Sequence, residues 1–360
     1  MDAVVRPVGP FDILLLNRLQ NQGVQLDPRR ALTQPESPLA VVLRAPLALH
    51  QPAAYTCIAR PQDDRTPAGF VQLRRRQPGR PDADVTYIAP QPISDPNVCE
   101  LWARLLEFVS WEAALSGVQR VFASLPADAE ELVPFLNAGF VIFAREELFT
   151  CERLPRLTDA PAIALRPQRP SDAWGLQRLY AGLVPLGVRQ AEGLSGGNGA
   201  DESIPDWMER GRREAYVWEQ EGDIVGHLEL TRGKIGHWAH FTLHPDRADL
   251  AGAFVDAGLY LLRAEAGRPV CAPVRTYESW MKPALLARGF RLLGRRDLAV
   301  RQTLARVKEP ATVAVRALEH QRGVTATPTV VRAEYAEHNG GERLEPAPVA
   351  RAPNSCEGGL

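Results

Sequence analysis

The sequence predicts a mixed α/β fold built in two successive copies, each a central, mostly antiparallel sheet flanked by helices. The first observation is an internal repeat. Arg6, Pro7, Pro10, Asp12, Leu16, Arg18 and Leu19 return as Arg166, Pro167, Pro170, Asp172, Leu176, Arg178 and Leu179, at a constant offset of 160. Seven identities in fourteen positions stand against about one by chance. The second observation is a later echo, Phe135, Leu136, Gly139 and Phe140 against Leu285, Leu286, Gly289 and Phe290. There a helix ends on a glycine suited to the left-handed cap and a strand begins at once. The third is the alternation of strand-like and helix-like apolar patterns between these landmarks.

Length and composition agree. A chain of 360 residues with 45% hydrophobic and 24% charged content fits a folded protein of about two domains. Its net charge of −1 gives no global pull toward nucleic acid or anionic membrane. No apolar run reaches the length of a membrane span, and the first residues lack the shape of a signal peptide. The five cysteines, Cys57, Cys99, Cys151, Cys271 and Cys356, are scattered and never in a CxxC pair. That pattern reads as free thiols in a reducing cytoplasm rather than a disulfide framework or metal site.

Each copy opens with a short strand, a proline turn, an Asp at the helix start and an amphipathic helix. In the first copy the pattern predicts strands over 54–60, 69–74 and 83–90, then a strong helix over 97–116. A strand over 120–124, a helix over 129–137 and a closing pair of short strands over 140–152 follow. In the second copy strands over 214–220 and 224–232 flank Glu221-Gly222-Asp223, a hairpin signal. A strand over 234–243 leads into helix 251–266, then strand 269–274, helix 280–288 and closing strands over 290–307. A long loop is expected over 187–204, with a glycine-rich stretch at 195–200 reading as surface or lid. The copies are placed at 1–154 and 162–307, joined by a linker at 155–161. Residues 308–360 lose all periodicity and are expected to be mostly disordered.

The stretch 241–262 organises the second copy: a buried strand end, a turn and a helix whose apolar stripe is Ala251, Phe254, Val255, Leu259 and Leu262. Backbone N–H groups at such a helix start form a ready anion site. With the repeated Arg-Pro-x-x-Pro-x-Asp openings, the Glu221–Gly226 hairpin, the His244-Pro245-Asp246-Arg247 strand exit and the two Gly-Phe helix ends, the chain resembles the GNAT N-acetyltransferase superfamily, twice over. The resemblance implies an acyl-CoA cosubstrate, acetyl-CoA first, and a small-molecule or peptide amine acceptor. It implies no metal, no nucleic-acid partner and no membrane partner.

In that family the strand–turn–helix carries an Arg/Gln-x-x-Gly-x-Gly/Ala loop for the pyrophosphate. Here the resemblance points to Leu243, His244, Arg247, Leu250, Ala251 and Gly252 as the cofactor turn, with Leu250 at the central glycine and Asp249 beside it. The first copy has no glycine over 90–100, so no cradle is expected there. The family also often places a tyrosine four residues before the Gly-Phe, as acid to the leaving thiolate. Phe135 and Leu285 hold those positions and cannot give a proton, which leaves Tyr277 as a substitute. For the base, His240 shares a strand face with Trp238, Thr242 and His244, opposite His237. Glu229 lies opposite Leu228 and Leu230 as a second acceptor, against the plainer reading of a solvated carboxylate. The four arginines over 74–80 read as a solvated hairpin tip. Two functions remain open: an N-acyltransferase active in the second copy, or an inactive tandem module that binds a ligand or protein.

Overall fold

The computed structural model describes residues 3–44, 54–61, 67–76, 81–92, 95–155, 160–193 and 212–303. The 195–200 glycine stretch, most of the 155–161 linker, the 77–80 end of the arginine run and the 308–360 tail lie outside these residues.

The first copy runs β1 (Ala3–Pro7), α1 (Ile13–Leu19), β2 (Val24–Gln25), α2 (Pro28–Thr33), α3 (Pro38–Arg44), β3 (Ala54–Pro61), β4 (Gly69–Arg75) and β5 (Asp82–Ala89). It continues with α4 (Pro96–Leu115), β6 (Arg120–Pro126), α5 (Leu132–Asn137) and β7 (Val141–Cys151). The second copy repeats the order as β8 (Arg166–Pro167), α6 (Ala173–Leu183), α7 (Leu186–Glu192), β9 (Arg212–Gln220), β10 (Asp223–Arg232) and β11 (His237–Leu243). It closes with α8 (Ala251–Leu261), β12 (Val270–Arg275), α9 (Met281–Leu286) and β13 (Arg291–Gln302).

The repeat itself has a structural cause. Asp12 does not cap α1. Its carboxylate closes a 3-10 turn by accepting from the Gly9 N–H, and it binds the repeated Arg6 at 2.7 Å. Asp172 does the same with the Arg169 N–H and Arg166. Burial pushes each carboxyl upward, but the arginine and backbone donors outweigh it and hold both below the usual range. In Asp172 the bond from Arg166 is the largest single influence. The later echo is also explained. Gly139 and Gly289 end α5 and α9 at φ of 80° and 82°, where a side chain would be strained.

Among the described residues all thirteen strands lie in one sheet, in the order β1-β3-β4-β5-β6-β13-β7-β12-β11-β10-β9-β8, with β2 paired to β5. The sheet is antiparallel except where β5 meets β6 and β11 meets β12. Those parallel contacts are brief, three residue pairs in the first copy and two in the second, after which the strands diverge.

The closing strands differ from the expected short pairs. Each is one long strand, and they are exchanged: β7 of the first copy pairs with β12 of the second, and β13 pairs with β6. The polar run Arg145-Glu146-Glu147 sits where β7 crosses between copies. There Arg145 pairs with Asp297, Glu146 with Arg275, and Glu147 with Lys282. The expected 187–204 loop likewise begins as helix α7.

One face of each half-sheet is covered by the long helix. Asp95 caps α4 by accepting from the Asn97 N–H at 2.9 Å, and Val98, Leu101, Trp102, Leu105 and Val109 are buried against the sheet. In the second copy Phe254, Val255 and Leu259 of α8 pack on Leu228, Leu230, Phe241 and Leu243. The opposite face carries α1 in one copy and α6 with α7 in the other.

Candidate functional site

After Trp238 and Cys271 the strands β11 and β12 part, opening a gap whose wall is the α6 side of β10 and β11. Strand alternation sends His227 and Glu229 of β10 to this wall, because Leu228 and Leu230 take the α8 side. Pairing places Glu229 opposite His240 and His227 opposite Thr242. Four polar side chains therefore share one inward patch.

Their surroundings set their chemistry. His227 is buried, and burial, the largest influence, pulls its pKa down. Its Nε2 meets Gln168 Oε1 at 3.0 Å and its Nδ1 meets the Tyr180 hydroxyl at 2.8 Å. A neutral ring fits this: Nε2–H donates to Gln168, and Tyr180 donates to Nδ1. His240 is the opposite case. Burial lowers its pKa, but Glu278 and Glu229 outweigh burial and raise it above the ordinary histidine value. Its Nε2 lies 3.5 Å from Glu278 Oε2, across the gap. Glu278 is held in turn by the Arg275 N–H, and Arg275 is clamped by Glu192 of α7 and by Glu146 of the exchanged strand β7. The first copy thus supplies a residue to the second copy's recess.

Glu229 is driven the other way. Burial raises it, yet His227, Arg213, His240 and Arg29 together bring it down to about 2. It is a standing anion and a weak proton acceptor at neutral pH. Tyr277 follows β12 and is half-buried against the cluster of Leu183, Val184 and Val188. Burial pushes its phenol upward, so it stays protonated. Phe135 and Leu285 are fully buried in their cores. His237 faces the α8 side, buried 3.7 Å from Glu265, and takes no part in the recess.

The cofactor turn begins where β11 ends at buried Leu243. His244 folds its ring back, Nδ1 accepting from the Asp246 N–H at 3.3 Å. A 3-10 turn then feeds the eleven residues of α8, which start at Ala251. Leu250, at the position of the expected glycine, turns toward the core, and Asp249 is exposed. Gly252 has a specific reason to lack a side chain: a Cβ there would sit 2.8 Å from Arg288 Nη2. Arg288 is held over the helix start by a bidentate pair with Asp256 at 2.5 and 2.6 Å. Arg247 and Arg288 thus bring two cations to one helix N-terminus.

Sequence reading missed Tyr180, Arg275, Glu278, Glu146 and Arg288. Tyr180 carried a signal, since it stands one repeat offset from Gln20 on the equivalent helix. Glu278 carried another, three residues after Arg275 at capping spacing. The others come from distant elements and no local pattern joins them. The four arginines over 74–80 turn out less idle than a solvated tip: Arg74 pairs with Glu36, and Arg76 pairs with Asp84 and lies 3.6 Å over the Phe122 ring.

No family model matches the chain, and no curated protein matches it. Among solved structures it is similar to a GCN5-related N-acetyltransferase from Sphaerobacter thermophilus, at 14% identity and a TM-score of 0.48, over 83% of this chain and 95% of that one. It is similar to a tandem GNAT protein from the clavulanic acid biosynthesis pathway at 14% identity and a TM-score of 0.47, over 84% and 98% of the two chains. An acetyltransferase of the GNAT family from Colwellia psychrerythraea is similar at 11% identity and a TM-score of 0.40, over 83% and 100%. Two copies of one element order, each with a parallel strand pair that splays apart, are joined into one sheet by exchanged closing strands.

Proposed function

We propose that the chain is an acyl-CoA-dependent N-acyltransferase, with acetyl-CoA the expected donor, and that its second copy is the working half. One observation carries this reading. The second copy places a histidine of raised pKa, paired to a buried carboxylate, at the gap where β11 leaves β12.

The residues of the turn fit the donor's pyrophosphate. Arg247 and the start of α8 supply positive charge, and Gly252, by lacking a side chain, lets Arg288 lie against that helix start. Acyl-CoA supplies the thioester carbonyl that the amine nitrogen attacks. His240, in its neutral form, takes the proton that the ammonium must lose before its nitrogen can form the new C–N bond. Glu278 stabilises the imidazolium so produced. Tyr277, which stays protonated, is the acid we assign to the departing sulfur. The chain's main contribution is to hold donor and amine together in a partly desolvated recess.

A second reading also has an observation behind it. Leu285 removes the family's usual acid, as expected of a tandem module that binds a ligand without turning it over. Release of free thiol from acetyl-CoA across a panel of primary amines separates the two. Amine-dependent thiol release abolished by His240→Gln supports the enzyme. Tight acetyl-CoA binding without release on any amine supports the binding module.

A further inference from the structure

We propose that the acceptor carries two cationic centres: the amine that reacts at His240, and a second ammonium or guanidinium group held by Glu229. This rests on the acyltransferase reading above and extends it to the acceptor.

The other charged groups of the recess already face a counter-charge. His240 faces Glu278, and Arg275 is clamped by Glu146 and Glu192. Both ring nitrogens of His227 are taken by Tyr180 and Gln168. Glu229 differs. His227, Arg213, His240 and Arg29 act on it through space, and it makes no hydrogen bond or ion pair among the described residues. A half-buried carboxylate without a direct partner is a ready counter-ion for a cationic ligand.

A second orphan lies on the same wall. Thr242 is 1% exposed, and its Oγ1 adjoins the Tyr180 phenol without the geometry of a hydrogen bond. The recess therefore offers one unpaired anion and one unpaired hydroxyl.

The nitrogen at Glu229 cannot be the one that reacts. A carboxylate this acidic stabilises the charged ammonium and accepts its proton poorly, whereas the nucleophile must shed that proton. The pairing geometry separates the two roles. Glu229 and His240 are cross-strand partners, with Cβ atoms about 4.5–5.5 Å apart by the usual sheet spacing. A short aliphatic diamine or amino-guanidine spans that distance.

The test compares 1,4-diaminobutane with n-butylamine on the full chain. Binding is read by calorimetry without acyl-CoA, and acetyl transfer is read separately. Wild type is expected to bind the diamine about ten-fold or more tighter, the factor for one charge-assisted hydrogen bond. Glu229→Gln should erase that preference, and Glu229→Asp, which keeps the charge, should retain part of it. Circular dichroism confirms that both variants fold. Equal affinities in wild type, or a diamine preference that survives Glu229→Gln, would overturn the proposal. Diamine-selective binding without any acetyl transfer would uphold the proposal and remove the acyltransferase reading. Transfer to both amines with equal KM would do the reverse.

Discussion

The two copies share a backbone plan and differ most at the same four places. Where the second copy pairs His227 with Thr242 and Glu229 with His240, the first pairs Phe70 with Ala89 and Gln72 with Tyr87. Gly69 and Gly226 stand just before the two sets. In the first copy Phe70 and Tyr87 stack at 5.5 Å and join Leu16 and Leu19 in a dry cluster. The Tyr87 hydroxyl is spent on the Gln20 carbonyl and the Gly23 N–H, bracing the end of α1. In the second copy the same wall is a half-desolvated polar recess. One copy packs that face for stability, and the other leaves it charged. The exchange of β7 and β13 ties them, because Glu146 from the first copy helps hold Arg275 of the second.

The largest effect should come from breaking this difference at its centre. His240→Gln is expected to reduce kcat for acetyl transfer by about 10²- to 10⁴-fold, the usual worth of a proton-transfer group. Tyr87→Phe, at the matching position, should leave kcat unchanged and cost about 1 kcal/mol in denaturant unfolding. Equal losses of activity at the two positions would sink the division of labour.

The donor turns should differ in the same way. Gly252→Trp forces a side chain into Arg288 and should weaken acetyl-CoA by about ten-fold or more. Arg247→Glu should weaken it by a similar factor through charge reversal. Pro90→Ala in the first copy's turn should not change it. Unaltered affinity in both second-copy variants would mean the donor binds elsewhere.

Stability should distinguish the copies much less. Asp12→Ala and Asp172→Ala each remove a carboxylate that closes a turn and binds an arginine, for an expected loss of about 2 kcal/mol apiece. The partly exposed arginines left behind rehydrate, which limits the loss. Both aspartates have lowered folded-state pKa values, so their contribution is full above the ordinary carboxylate value. It is lost as pH falls through the folded value. Acid unfolding of the two variants should therefore be less steep than that of wild type.

The smallest effect is a shift along the pH axis. His240 must be neutral to accept a proton, so activity should rise with pH through a midpoint above 6.5. Glu229 helps raise that midpoint, and Glu229→Gln should move it downward. An upward shift would contradict the electrostatics of the recess.

Much of the fold was legible because it rests on local patterns. The strand alternation, the glycine helix ends and the Arg6–Asp12 repeat each act within a few residues. The strand exchange was not legible, since whether β7 pairs with β12 or β6 depends on contacts more than a hundred residues apart. The pattern over 140–152 predicted two short strands where one long strand crosses between the copies. His240 and Glu229 could be picked out by face alternation. Their different protonation could not, because it depends on Glu278 across the gap and on cations from β9 and α2. Leu250 shows the limit of motif reading: the sequence places it where a glycine is expected, whereas the structure turns it into the core beside Ala251.

The central claim is that the second copy alone carries the donor site. Calorimetric titration of acetyl-CoA into the full chain tests it most directly. The account predicts one site per chain, lost or greatly weakened in Gly252→Trp and retained in Pro90→Ala. Two sites per chain, no binding at millimolar ligand, or full affinity in Gly252→Trp would contradict it.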